Sequence, residues 1–164
     1  MRGYSSAEYG LLVEKGGRLA LPAVPQNRMG KVVWEWPVRP HAGFGANVGV
    51  RLVLRYTLKR PEVANLTLIL RDVHVARMDT HDSHRQDGVL RRGTHVSEWP
   101  DPLDPRGRTT YDLDPPLEGF PDDPAPGTMV RYWVPVEWFC RRYNIDCTGL
   151  DRDELEEEVP PYER

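Results

Sequence analysis

The chain has 164 residues, 39% hydrophobic and 29% charged, with a formal net charge of −3. That length and balance fit one globular domain with a real core, and they argue against a disordered chain. The apolar runs are only a few residues long, so the sequence predicts no membrane span. The first 15 residues lack a signal-peptide core, which makes the cytoplasm the expected location. Cys140 and Cys147 form a single C-x6-C spacing, which does not support a zinc ribbon and reads as two thiols in a reducing compartment.

Charge is unevenly distributed. Residues 28–95 carry 12 basic and six acidic side chains, whereas residues 96–164 carry seven basic and 17 acidic. A basic working face beside an acidic tail is one reading, and a mutually neutralising surface is the other.

The fold class predicted from the pattern is α+β. It comprises a twisted, mainly antiparallel sheet of five to seven strands, two or three short helices, and a long Pro/Asp-rich loop. The elements follow in order within one domain spanning 1–164. Over 5–15, Ser5-x-x-Glu8 is a capping box that opens a helix burying Tyr9, Leu12 and Val13, and Gly16-Gly17 stops it. A strand-rich core occupies 18–99. In it, Val32, Trp34, Trp36 and Val38 alternate, and so do Val48, Val50, Leu52, Leu54, Tyr56 and Leu58. Residues 41–49 read as a hairpin loop between them. Asn65 to Met78 reads as one further strand whose apolar phase slips, predicting a β-bulge near Arg71-Asp72.

A loop to about Arg85, a turn at Gln86-Asp87-Gly88 and a strand over Thr94–Trp99 are expected next. Residues 100–127 hold eight of the sixteen prolines and read as an irregular excursion, with a short strand at Thr109–Tyr111. In 128–146, Thr128–Val134 reads as a strand, and Pro135 opens a helix that packs through Val136, Phe139, Cys140 and Tyr143. An acidic tail over 150–164 begins with an Asp151/Glu154 cap.

The chemistry concentrates between Met78 and Trp99, which holds three of the five histidines. Three uses are open. In the first, His84 and His95 act as general base and acid on RNA, with Arg85, Arg91 and Arg92 against phosphate. In the second, Asp79, His81, His84 and His95 (with Asp82 nearby) bind a divalent metal. In the third, no catalysis occurs, and the Arg51/Arg55 strand face with Arg91 and Arg92 docks nucleic acid or an acidic protein. No phosphate loop, dinucleotide fingerprint or nucleophile elbow is present in the sequence.

Four stretches carry a resemblance: Leu70-Arg71-Asp72, His84-Arg85-Gln86-Asp87-Gly88, Gly93-Thr94-His95-Val96-Ser97-Glu98-Trp99, and Phe139 with Asn144-Ile145. In this order they resemble a family of small bacterial proteins of toxin–antitoxin and defence neighbourhoods. That family's pattern is His-x-Asn-Pro-x-Gly, then Gly-x-His-x-His, then Phe-x4-Asn-Ile. Gln86-Asp87 replaces the Asn-Pro step, and Ser97 stands where the second strand histidine would be. The resemblance implies a defence-linked role; the expected partner is RNA, from the His/Arg reading of the residues, or a protein such as an antitoxin or defence component.

Overall fold

The computed structural model describes residues 3–41, 43–44, 48–86 and 88–157, with side chains described for all of these except 84–86 and 156–157. Helix α1 (Ser6–Lys15) starts where the sequence places it. The Ser5 hydroxyl accepts the Glu8 N–H at 3.2 Å, and the Glu8 carboxylate accepts the Ser5 N–H at 2.8 Å. Gly16 ends it at φ 60°, its N–H returning to the Leu12 carbonyl at 2.8 Å. Leu12 is fully buried, and Val13 is only half-buried.

The strands are β1 (Gly17–Leu19), β2 (Gln26–Arg28), β3 (Lys31–Pro40), β4 (Val50–Thr57), β5 (Arg60–Leu70), β6 (Val73–Gln86), β7 (Val89–Glu98), β8 (Arg108–Thr110) and β9 (Ile145–Asp146). They form one sheet in the order β8-β7-β6-β5-β4-β3-β1-β9, with β2 sharing the outer edge of β3 with β1. Among the described residues, only the β1–β9 pair is parallel. The architecture is therefore α+β, with nine strands among the described residues rather than five to seven.

Register explains the two faces. Trp34, Leu54, Leu66, Met78 and Val96 lie opposite one another across five strands, all buried. Each such side chain removed from water contributes about 1.5–3 kcal/mol. Helix α1 and helix α2 (Trp133–Arg142) pack on this face through Leu12, Val136, Phe139 and Tyr143. Glu98 ties them together, accepting from Tyr143 Oη at 2.7 Å, Tyr9 Oη at 3.4 Å and Arg142 Nη2 at 3.4 Å. The other face is polar: Glu35, Val53, Thr67, Arg77, Ser97 and Thr109 make the adjacent row.

Four local expectations are corrected. Asn65–Met78 is not one strand: Arg71 and Asp72, at φ 50° and 64°, form a two-residue hairpin turn between β5 and β6. The phase slip comes instead from Val75, an extra residue between the Leu68–Ala76 and Ile69–His74 pairs. The loop expected up to Arg85 is strand, because β6 runs unbroken to Gln86 and pairs with β7. Thr128–Val134 is not a strand: Val130 and Tyr132 are buried in an irregular segment with no described ladder partner, Tyr132 already has helical dihedrals (φ −60°, ψ −24°), and α2 begins at Trp133. Asp87 and residues 42 and 45–47, where turns were expected, lie outside the described residues, as do 158–164.

The Pro-rich excursion carries β8 and then covers the helix-bearing side, burying Phe120 and packing Leu113 and Leu117 against the core. Helix α3 (Arg152–Glu157) is capped by the Asp151 carboxylate, which accepts the Asp153 N–H at 2.9 Å. Cys140 and Cys147 are free thiols.

Candidate functional site

The β6–β7 ladder is interrupted at one level. Asp79 pairs with His95 and Asp82 with Gly93, so Thr80 and His81 together oppose Thr94. This is a bulge, and His81 adopts φ 50° while Gly93 adopts φ 118°. Strict alternation would set His81 beside Asp79 on the polar face. The bulge instead turns it to the helix-bearing side, where its ring stacks on Phe120 with centroids 5.0 Å apart and planes 11° apart.

His81 lies in the wall of a cleft of about 430 Å³, with Arg60, Glu62, Ser83, Arg92, Asp122 and Asp123 around it. A second cleft of about 420 Å³ continues from it, sharing Arg92, Gly93 and Asp122, and is lined by Tyr111, Leu113, Leu117 and Phe120. The first half is charged, and the second adds the apolar side chains of Leu113, Leu117 and Phe120 to a polar lining that includes Thr94, Asp112 and Asp122, with Arg92 at the junction. The strand segments beside the cleft are tied down. Thr80 Oγ1 donates to the Glu62 carbonyl and accepts the Ala64 N–H, both at 2.8 Å, and Tyr132 Oη donates to the Pro61 carbonyl at 2.5 Å.

Both ring nitrogens of His81 are buried and neither makes a well-formed hydrogen bond, the Asp122 main chain lying close enough only to favour the charged ring weakly. Leaving such groups unpaired costs about 1–3 kcal/mol, which makes this ring a functional candidate. Burial lowers its pKa below 6.5, outweighing the Asp122 main chain and the Glu62, Asp123 and Asp122 carboxylates, which favour the charged ring. The imidazole is therefore neutral at pH 7, the form that accepts a proton. Glu62 is 2% exposed. Burial opposes its charge, but its ion pair with Arg60 and the Gly127 N–H, at 2.9 Å, prevail and hold the carboxyl below its usual pKa.

His95 lies on the opposite face in a closed network. Its Nε2 is 3.6 Å from Asp79 Oδ2 and its Nδ1 is 3.2 Å from the Gly93 carbonyl, so both nitrogens face oxygen. Asp79 also accepts from Arg77 Nε at 2.7 Å and from the Asn65 amide, which in turn accepts from Thr67 Oγ1 at 2.8 Å. Tyr111 covers His95, with ring centroids 4.9 Å apart, and Arg91 sits 5.3 Å from the Tyr111 centroid. At 1% side-chain exposure, His95 is positioned to hold structure rather than to meet substrate. Replacing Asp79 with alanine strands these buried donors. It should cost about 3 kcal/mol in urea unfolding, and a loss below about 0.5 kcal/mol would show that the network does not hold the face together.

The other sequence-predicted residues divide as follows. The side chains of His84 and Arg85 lie outside those described. Arg51 is held by Glu35 at 3.2 Å and Asp72 at 2.5 Å, whereas Arg55 is exposed on the polar face. Arg92 is exposed at the cleft junction. Of the expected metal set, Asp79 and His95 share one face and the bulge separates His81 from them. Among the described residues, no three His, Cys, Asp or Glu side chains are grouped to hold a metal. Arg60, Glu62, Asp122, Asp123 and the ring partners Tyr111 and Phe120 were not singled out from sequence. Glu62 did leave a trace, being a charge in phase with the core residues Ala64, Leu66, Leu68 and Leu70.

Comparison with protein-family models, with curated proteins and with solved structures gave no match. No described helix is long and apolar enough to cross a membrane.

Proposed function

We propose that the protein acts on RNA in a defence or toxin–antitoxin setting, and that the divided cleft beside the β6–β7 bulge is where it does so. The setting rests on the sequence resemblance. The chemistry rests on His81, a neutral imidazole in the wall of a cleft, neither of whose nitrogens makes a well-formed hydrogen bond. The second half is of the size that holds a small ligand, roughly 300–1,000 Å³, and its Leu113, Leu117 and Phe120 side chains offer a base an apolar surface. Arg92, between the halves, suits the adjoining phosphate. In this reading His81 takes the ribose 2′-OH proton while the 2′-oxygen attacks phosphorus. The departing 5′-oxygen takes its proton from solvent in the open cleft.

Asp122 and Asp123 in the same cleft disfavour a long polyanion, so only one or two phosphates are engaged. Binding of single-stranded RNA should then fall with salt with a log–log slope of about −0.7 to −1.4. Arg92→Gln should weaken it about tenfold, or about 1.4 kcal/mol. Absence of both binding and cleavage in wild type, with and without chelator, would remove this reading. Docking through the Arg51/Arg55 face is less favoured, since Arg51 is already held by two carboxylates.

A further inference from the structure

Two thiols meet where the chain closes the sheet. After α2 the backbone reverses at Asn144, at φ 53°, and β9 runs on to pair with β1. The segment is tied down on both sides of Cys147. Before it, the Gly17 N–H meets the Asn144 carbonyl at 3.2 Å. After it, the Leu150 N–H returns to the Cys147 carbonyl at 3.0 Å, and Arg152 grips the Glu137 carboxylate with two nitrogens, at 2.7 and 3.0 Å. Glu137 and Cys140 stand three residues apart on α2 and so share one side of it. Cys147 is thereby held against α2 beside Cys140. It packs on the core cluster to which Cys140 belongs, and the Cys140 thiol is near enough to donate a hydrogen bond to its sulfur.

The two thiols differ in access and in acidity. Cys140 is fully buried, and Cys147 is half-buried. The contact with Cys147, together with burial, pushes the Cys140 thiol well above its usual range. The same contact pushes Cys147 down to about 7, against burial and the Glu137 and Asp146 carboxylates. The Arg152 guanidinium is the cation that feels its charge. At neutral pH about half of Cys147 is therefore thiolate, the form that attacks disulfides, while Cys140 keeps its proton.

We propose that Cys147 and Cys140 are an attacking and a resolving thiol, through which a low-molecular-weight disulfide such as glutathione disulfide closes a Cys140–Cys147 bond that pins the chain after β9 to α2. The Cys147 thiolate attacks one sulfur of glutathione disulfide. A Cys147–glutathione bond forms, and one glutathione leaves with the proton that Cys147 gave up. Cys140 then attacks the Cys147 sulfur, and the second glutathione leaves with the proton of Cys140. Two protein thiols are oxidised to one disulfide, and one glutathione disulfide is reduced to two glutathiones. The site stands apart from the cleft and does not depend on the RNA reading.

The test incubates the reduced full chain with glutathione disulfide, unfolds it, alkylates the remaining thiols and measures its mass. Wild type should lose both alkylatable thiols together, shed two hydrogens and retain no glutathione. Wild type that keeps both thiols under excess oxidant, retains a glutathione, or links to a second chain would overturn the proposal, and this readout needs no variant to fold. Cys140→Ser should stop at the mixed disulfide, with one glutathione on Cys147. In Cys147→Ser, modification of Cys140 should be at least about tenfold slower than loss of thiols in wild type. Equal rates would overturn the order of attack.

A second measurement reads the pinning. In oxidised wild type, hydrogen exchange at the Gly17 amide should slow about tenfold, because its bond to Asn144 opens only when the chain after α2 lifts away. Equal exchange in the reduced and oxidised forms would overturn that role.

Discussion

His81→Phe is expected to lower RNA cleavage by about 10²–10⁴-fold, the range lost with a general base, and at the same time to make the protein more stable. The gain arises because phenylalanine keeps the stack on Phe120 and removes two buried nitrogens that make no well-formed hydrogen bond. It should be about 1 kcal/mol, or about 2–4 °C in melting temperature for a chain of this size. Few substitutions raise stability and abolish function together, and those that do mark residues kept for their chemistry. The pH dependence separates this from general repacking. Because burial sets the folded pKa of His81 below 6.5, the unfolded chain binds the proton more readily. Wild type therefore has this contribution in full above pH 6.5 and loses it as pH falls through 6.5 towards the lowered folded value. The difference in melting temperature between wild type and His81→Phe should widen over that window. A variant clearly less stable than wild type at pH 7 would make His81 a structural residue.

Gly16→Ala is expected to cost at least about 3–5 kcal/mol, the scale of the most severe point substitutions. A Cβ built on Gly16 falls 1.8 Å from the Asn144 carbonyl oxygen and 2.4 Å from its carbon, and φ is 60°. The obstacle is backbone, so no rotamer change relieves it. Left-handed φ alone accounts for about 1–2 kcal/mol. The remainder comes from separating α1 from the chain at Asn144, where the Gly17 N–H meets the Asn144 carbonyl at 3.2 Å and the Asn144 amide meets the Val13 carbonyl at 2.7 Å. Gly10→Ala is the control, because nothing lies within 4 Å of its Cβ. As a helix-interior glycine, Gly10 should give a gain of about 1 kcal/mol. Equal effects of the two substitutions in urea unfolding would refute the account.

What the sequence revealed depended on regular spacing. β3 and β4 were legible because Val32, Trp34, Trp36 and Val38, and then Val50, Leu52, Leu54 and Tyr56, alternate against one packed face. Helix α1 was legible from its capping box. The β5–β6 turn was not, because Arg71-Asp72 carries none of the glycine or asparagine that usually mark left-handed turn positions. The Met78–Trp99 stretch, where the sequence concentrates its chemistry, runs beside the cleft, and the ring in the cleft wall is His81 rather than His84 or His95. A bulge reverses the face a residue occupies, and the side-chain list contains no sign of it. The network around Asp79 was hidden for a related reason: Asn65, Arg77 and His95 become neighbours only through the registers of three strands.

The closing of the sheet by β9 bears on how the chain acquires its structure during synthesis. β1 has Ile145–Asp146 as its parallel partner, and the hydrogen bond from Asn144 to Val13 spans 131 residues. The outer edge of the sheet therefore stays incomplete on the ribosome until β9 has emerged. The β4–β5–β6–β7 meander, by contrast, is joined by short turns and needs only its own residues. Such distant pairings fold on a scale of roughly milliseconds to seconds. The cleft beside the β6–β7 bulge is finished only when residues 122–126 have been added over that meander. The cleft is thus assembled late, after the sheet that carries it.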